Sequence, residues 1–463
     1  MWKSAPRARN SSGALAFEVK LFSMTPAPPS RPGTSSRVQH AERNVRLDPQ
    51  GIYGTRSARR QNQLRRRRQF QNAVLWLLGA VLMVILGRWA LQPRQGARAA
   101  SETLSLPFRP AAATVFAANG DLLFTSQSGG LWRAKISEIA GRSSPLAAPR
   151  RVFSHAFAPA APPLVSPTQI FWPGGDGTLV ALDGASDGVS AKVQWRAALP
   201  SALVARPALV EVENRSLIVA GDDGGEIAAF DAKNGALRWK KSAGGAVGGG
   251  IGVLEAQNGA GAGVVVPLAA GPNSRGGLLC LDAKSGALRW SFPGDARSQS
   301  GGIAVPTAWK NRVFWCNDEG AVVCLDGKTG RKIWKSFAAP QTQSGDKLVT
   351  LRGSPLVVEA LDLVVVGGND GILRAFDVAT GKPRWTSPLG GALRFPAQSL
   401  VFEGRAALLA AGEMPAIFLL DAETGSVLRR WSTRYPNSNG VVFTSKNAYA
   451  LDAEGHLQIA PLQ

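Results

Sequence analysis

Few residues in this chain have the type and spacing that chemistry needs. Gly184-Ala185-Ser186-Asp187-Gly188 spells G-x-S-x-G, the string that in a nucleophile elbow lifts a serine hydroxyl out of a sharp strand-to-helix turn. The sequence on both sides of it is strand-like, so the string is read as a turn. His40, His155 and His456 are isolated in sequence, whereas zinc is held by spaced sets of His and Cys, and no metal site is assigned. The acidic stretch GDDGGE (221–226) lacks the distal bidentate Glu of a calcium loop and reads as a hairpin. SAGGAVGGGIG (242–252) lacks the Lys-Ser/Thr end of a phosphate loop. It is expected to cross between sheets where small residues allow close approach. The three cysteines, Cys280, Cys316 and Cys324, include no adjacent pair. Buried free thiols are expected, with a Cys316–Cys324 bridge as the alternative.

One charged feature recurs at matching places. Arg206, Arg352 and Arg394 each stand just before an apolar run, in ARPALV, LRGSPLVV and LRFPAQSLV. If those runs line a channel, the three arginines gather near one mouth of it, and a positive mouth suits an acidic peptide, a carboxylate ligand or an anionic glycan. The other reading is that each is a solvated or salt-bridged turn residue. These three are the candidate partner-binding residues, and no catalytic, cofactor-binding or metal-binding residue is assigned.

The elements that must position them come from a repeat. FDAKNGALRW (230–239) returns as LDAKSGALRW (281–290), and weaker copies run LDGKTGRKIW (325–334), FDVATGKPRW (376–385), LDAETGSVLRRW (420–431) and LDGASDGVSAKVQW (182–195). Their aspartates, Asp183, Asp231, Asp282, Asp326, Asp377 and Asp421, lie 48, 51, 44, 51 and 44 residues apart. Gly235, Gly286, Gly330, Gly381 and Gly425 follow four residues after an Asp, and Trp195, Trp239, Trp290, Trp334, Trp385 and Trp431 close the copies. Degenerate copies at 129–136 and 454–462 bring the count to eight. Each unit holds four strand-like runs, often turning through Asp-Gly, as at Asp176-Gly177, Asp223-Gly224 and Asp370-Gly371. The runs are apolar on both faces, so each sheet must be covered on both sides. Eight such sheets predict an all-β fold, an eight-bladed β-propeller of four-stranded antiparallel blades. In it the Asp ties the turn, the Gly supplies a positive φ, and the Trp docks on the next blade. SLPFRP (105–110) is left over to supply the outer strand of the last blade.

The pattern A-x-D-x-x-x-G-x-x-x-W, as in AAFDAKNGALRW (228–239), resembles the tryptophan-docking repeat of the PQQ-type propellers. That family holds the quinoprotein alcohol dehydrogenases and the BamB-type factors of outer-membrane protein assembly. The resemblance implies the eight-bladed ring. For a dehydrogenase it would also imply a calcium-ligating set, a base Asp and often a vicinal disulfide, none of which can be placed on this chain. The expectation is therefore a non-enzyme without cofactor, a monomeric scaffold for a protein partner in the cell envelope. A ligand-binding sensor and, behind it, a PQQ-dependent dehydrogenase are the alternatives.

Charge and hydropathy divide the chain of 463 residues and net charge +21. Residues 1–72 carry fifteen Lys or Arg against three acids, with Ser and Pro in abundance. Residues 1–68 are expected to be a disordered basic tail. RRRR (65–68) stands directly before nineteen uncharged residues, Gln69 to Gly87, about the length of a membrane-spanning helix. Residues 69–91 are read as a transmembrane helix or signal anchor, 92–103 as a linker and 104–463 as the propeller. The arginines favour a single pass through the cytoplasmic membrane, N-terminus inside and propeller periplasmic or extracellular. A membrane accounts for the basic stretch, so no nucleic-acid partner is expected. Ala97-Arg98-Ala99 fits a signal-peptidase site, but a 68-residue lead is too long for a signal peptide unless translation starts downstream, for example at Met24. No Cys lies near this segment, where a BamB-type lipoprotein would carry its lipid.

Overall fold

Strands 215–221 and 226–231 show why the apolar runs leave neither face polar. Ile218, Ala220, Ala228 and Phe230 enter one core with Phe171, Leu179 and Trp195 of the preceding sheet. Their neighbours Leu217, Val219, Ile227 and Ala229 enter a different core with Val264, Val266 and Leu281 of the following sheet. Period-two alternation thus sends successive side chains into two separate cores, each shared by adjacent blades.

The computed structural model describes residues 98–462 apart from 101, 118, 137–147, 185–189, 257–260, 272–273, 294–303 and 339–348. The expected tail and the expected membrane segment 69–91 lie outside the described residues, as does most of the G-x-S-x-G string. Among the described residues no helix is long and apolar enough to cross a membrane.

The chain is an eight-bladed all-β propeller. Seven blades run inner to outer in chain order, from Val115–Phe116 through Arg150–Ser154 in blade 1 to Gln398–Phe402 through Val427–Ser432 in blade 7. Blade 8 is built from both ends of the domain. Val441–Phe443, Asn447–Leu451 and His456–Pro461 supply three strands, and Glu102–Ser105 pairs antiparallel to the last of them, Glu102 opposite Ile459 and Ser105 opposite His456. The closing strand lies a few residues before the expected 105–110. Pro107 and Pro110 have no N–H to donate, so the ladder must end ahead of them. The leftover stretch packs instead: Leu106 is buried, and Phe108 stacks on Trp132 with ring centroids 4.6 Å apart.

Arg98–Ala100 forms a strand that the sequence does not announce. It pairs in parallel with Val427–Ser432, Arg98 opposite Arg430 and Ala100 opposite Ser432, and gives blade 7 a fifth strand. This strand and the start of the closing one fall in the stretch read as a linker.

Candidate functional site

The repeated phrase forms a continuous chain of blade-to-blade docking. Trp195 Nε1 donates to Ala232 O at 2.9 Å, Trp239 to Ala283 O at 2.8 Å and Trp290 to Gly327 O at 2.8 Å. Trp334 reaches Val378 O at 3.0 Å and Trp385 reaches Ala422 O at 3.1 Å. Each acceptor is the residue after the repeat Asp of the next blade. Trp431 is buried in the core shared by blades 7 and 8.

The glycine has a second duty beyond its φ. At Gly286 the φ is +71°, and a Cβ there would stand 2.7 Å from the Trp239 ring. Gly235, Gly330, Gly381 and Gly425 lie in the same way against Trp195, Trp290, Trp334 and Trp385. Each Trp is therefore held flat between its own strand and the bare backbone of the next blade's turn.

The aspartates organise those turns. Asp282 Oδ1 accepts from Lys284 N, Ser285 N and Ser285 Oγ, while Oδ2 pairs with Arg289 at 2.7 Å. Asp326, Asp377 and Asp421 accept equivalent bonds from Thr329, Thr380 and Thr424. Asp231 is bonded to Lys233 N and to Arg238, and the Arg238 guanidinium holds its carboxyl below the usual range. Asp183 closes the third strand of blade 2 against Gln169 of the second.

The innermost strands surround a cavity of about 680 Å³ at one end of the central channel, lined by residues of all eight blades. Arg206, Arg352 and Arg394 all line it, and they differ. Arg394 Nε pairs with Glu413 Oε1 at 2.5 Å. Arg352 Nε stands 3.4 Å from Asp318 Oδ1, whose pKa burial raises more than Arg352 lowers it. Both carboxylates sit on turns between second and third strands. Arg206 makes no side-chain hydrogen bond or ion pair among the described residues. Water reaches it from the lumen, yet the surrounding blades desolvate the guanidinium and lower its pKa. The two readings of the arginines therefore split: Arg352 and Arg394 are salt-bridged turn residues, and Arg206 is a bare cation.

The remaining chemistry-bearing residues have ordinary surroundings. Asp222 Oδ1 accepts from Glu226 N at 2.7 Å, tying GDDGGE into a hairpin whose positive φ falls on Gly225 rather than Gly224. His456 Nδ1 lies 2.7 Å from Asp452 Oδ2 and stacks on Tyr435, and His155 Nε2 is 3.8 Å from Asp176. Among the described residues no group of three or more His, Cys, Asp or Glu could hold a metal ion. All three thiols are free and buried. Burial pushes Cys280 and Cys324 up to about 12 and raises Cys316 as well. Cys280 and Cys324 stand opposite Trp290 and Trp334 in the ladder, the same slot in consecutive blades.

Known proteins share this frame. BamB from Moraxella catarrhalis superposes with a TM-score of 0.54 at 17% identity, over 78% of this chain and 98% of that one. The quinohemoprotein alcohol dehydrogenase from Comamonas testosteroni gives 0.56 at 12% identity, over 78% and 76%. Sqt1 of Saccharomyces cerevisiae gives 0.64 at 10% identity, over 80% and 100%. At these identities the likeness shows the fold alone, shared by proteins with different names and roles. No curated protein sequence matches significantly. The family model for outer membrane protein assembly factor BamB matches residues 90–250 and again 223–462, and by that match, together with the tryptophan-docking ring, the chain belongs to the BamB family of PQQ-type propellers.

Proposed function

We propose that the protein is a non-catalytic interaction scaffold, a propeller held at the cytoplasmic membrane by residues 69–91 and presenting its arginine-bearing face to a protein partner in the cell envelope. An envelope or outer-membrane assembly role is the specific form of this reading. The observation that carries it is the division of labour in the ring. The Asp, Gly and Trp of each repeat are spent on holding blades together. Variation is left to the turns and crossings around the channel mouth, where Arg352 and Arg394 meet Asp318 and Glu413. Loops on a rigid frame can change without disturbing the blades, which is the arrangement a docking surface needs. The run of four arginines before Gln69 supports the anchor and its orientation.

Crosslinking in intact cells, with identification of the captured protein, tests the scaffold. Replacing Arg206, Arg352 and Arg394 together with Gln should weaken capture and its salt sensitivity while the domain stays folded, since exposed ion pairs contribute about 0–1 kcal/mol. Capture of the same partner at the same level would reject this face as the docking surface. For the enzyme alternative, PQQ with calcium should neither raise the melting temperature nor give dye-linked alcohol oxidation. A saturable shift with turnover would overturn the scaffold reading.

A further inference from the structure

The channel cavity has a chemistry of its own. Its described lining includes three guanidinium groups and no carboxylate. Two of the three are neutralised from behind, by Asp318 and Glu413, which do not line the cavity. Arg206 is left alone. It precedes the inner strand of blade 3, four blades from Arg394 on blade 7, so in a ring of eight the two stand on opposite walls. The rest of the wall is mainly apolar, with Phe116, Val165, Val305, Phe395 and Val441 contributed by five different blades. A volume of about 680 Å³ falls within the range of small-molecule sites, roughly 300–1,000 Å³.

We infer that the channel mouth is a binding site for a small apolar-bodied carboxylate, its anionic head paired with Arg206 and its body against the apolar wall. The inference shares Arg206 with the proposed docking face but needs no protein partner, so its test can fail while the scaffold reading stands. Three features of the cavity select this class. A cation would meet only positive charge along the described wall. A fully polar anion would leave the apolar wall wet or unmatched. A neutral apolar ligand would bury an unpaired guanidinium, and burial of an unpaired charge is costly. A carboxylate with an apolar body satisfies both parts of the wall, and a planar guanidinium can bind a carboxylate through two parallel hydrogen bonds. Arg206 lines the cavity and is exposed to it, so an entering anion can reach the guanidinium.

The test uses the purified full-length chain, calorimetric titration and thermal shift. A panel of 4-phenylbutyrate, octanoate and 1-naphthoate supplies the carboxylates. 4-Phenylbutanol, 4-phenylbutylamine and acetate remove in turn the charge, its sign and the body. At least one panel carboxylate should bind saturably and raise the melting temperature, with each comparator at least tenfold weaker. Arg206→Gln should weaken that binding at least tenfold, and Arg206→Lys should restore part of it. The inference fails if no panel carboxylate binds, if the alcohol or amine matches its carboxylate, or if Arg206→Gln binds like the parent. The carboxylate-against-amine comparison needs only the parent protein, so the result does not depend on whether the variant folds.

Discussion

Gly286→Ala separates two reasons for a glycine that the sequence cannot tell apart. The residue has φ +71° and faces the Trp239 ring, with the added Cβ 2.7 Å from Cδ2 and Cε3. Gly404 has nearly the same φ, +75°, but nothing lies within 4 Å of its would-be Cβ. Both alanine variants meet the left-handed backbone cost of about 1–2 kcal/mol. Only Gly286→Ala must also push a packed ring aside, and overpacking a well-filled site costs a further 1–3 kcal/mol or so. We therefore expect a total of about 2–5 kcal/mol for Gly286→Ala and about 1–2 kcal/mol for Gly404→Ala. Urea unfolding of the full-length chain, followed by circular dichroism, measures both. The comparison uses midpoints at unchanged slope, because a ring of eight blades need not unfold in one step. A Trp239→Ala background completes the cycle: with the ring gone, Gly286→Ala should fall to the cost of Gly404→Ala. Equal costs for the two glycine variants in the parent, or an undiminished cost in the Trp239→Ala background, would refute the role of the turn as a floor for the preceding blade's tryptophan.

Two further outcomes follow from the same frame. Deleting residues 102–106 removes the antiparallel partner of His456–Pro461 together with buried Leu106. The denaturation midpoint of the whole domain should fall by more than Leu106→Ala alone produces, for which about 2–5 kcal/mol is typical; an unchanged midpoint would mean the ring does not close through this strand. The bond from Arg238 holds the folded pKa of Asp231 below the ordinary carboxylate value. Its contribution is therefore present above that value and lost as pH falls through the lowered folded pKa. The stability gap between the parent and Asp231→Asn should be full near neutral pH and shrink from about pH 4 downward. A gap that does not change with pH would mean the carboxylate charge contributes nothing.

The ring was legible because its signals are local. The Asp-x-x-x-Gly turn, the apolar run before it and the Trp after it lie within a dozen residues, as in FDAKNGALRW (230–239), and they recur at spacings that only stacked sheets explain. Runs apolar on both faces required neighbours on both sides, and the alternate cores on either side of Glu226–Asp231 are the result. The position of the closing strand was half legible. A spare segment was evident, but its pairing partner lies some 355 residues away, and Glu102 and Thr103 do not advertise a strand.

What each arginine does was decided only by the folded ring. Arg206, Arg352 and Arg394 look alike in sequence, each set before an apolar run and near a proline. Glu413 belongs to a turn nineteen residues after Arg394, and Asp318 to a turn thirty-four residues before Arg352. Nothing in the local phrase around either arginine specifies those partners. Among the described residues no carboxylate is brought to Arg206, and its guanidinium stays open to the lumen. Repeat chemistry is written where the chain turns, so the sequence determined the blades and their number. Neutralisation depends on which turns between second and third strands meet the segments that enter the inner strands, so only the tertiary structure could separate two paired arginines from one left bare.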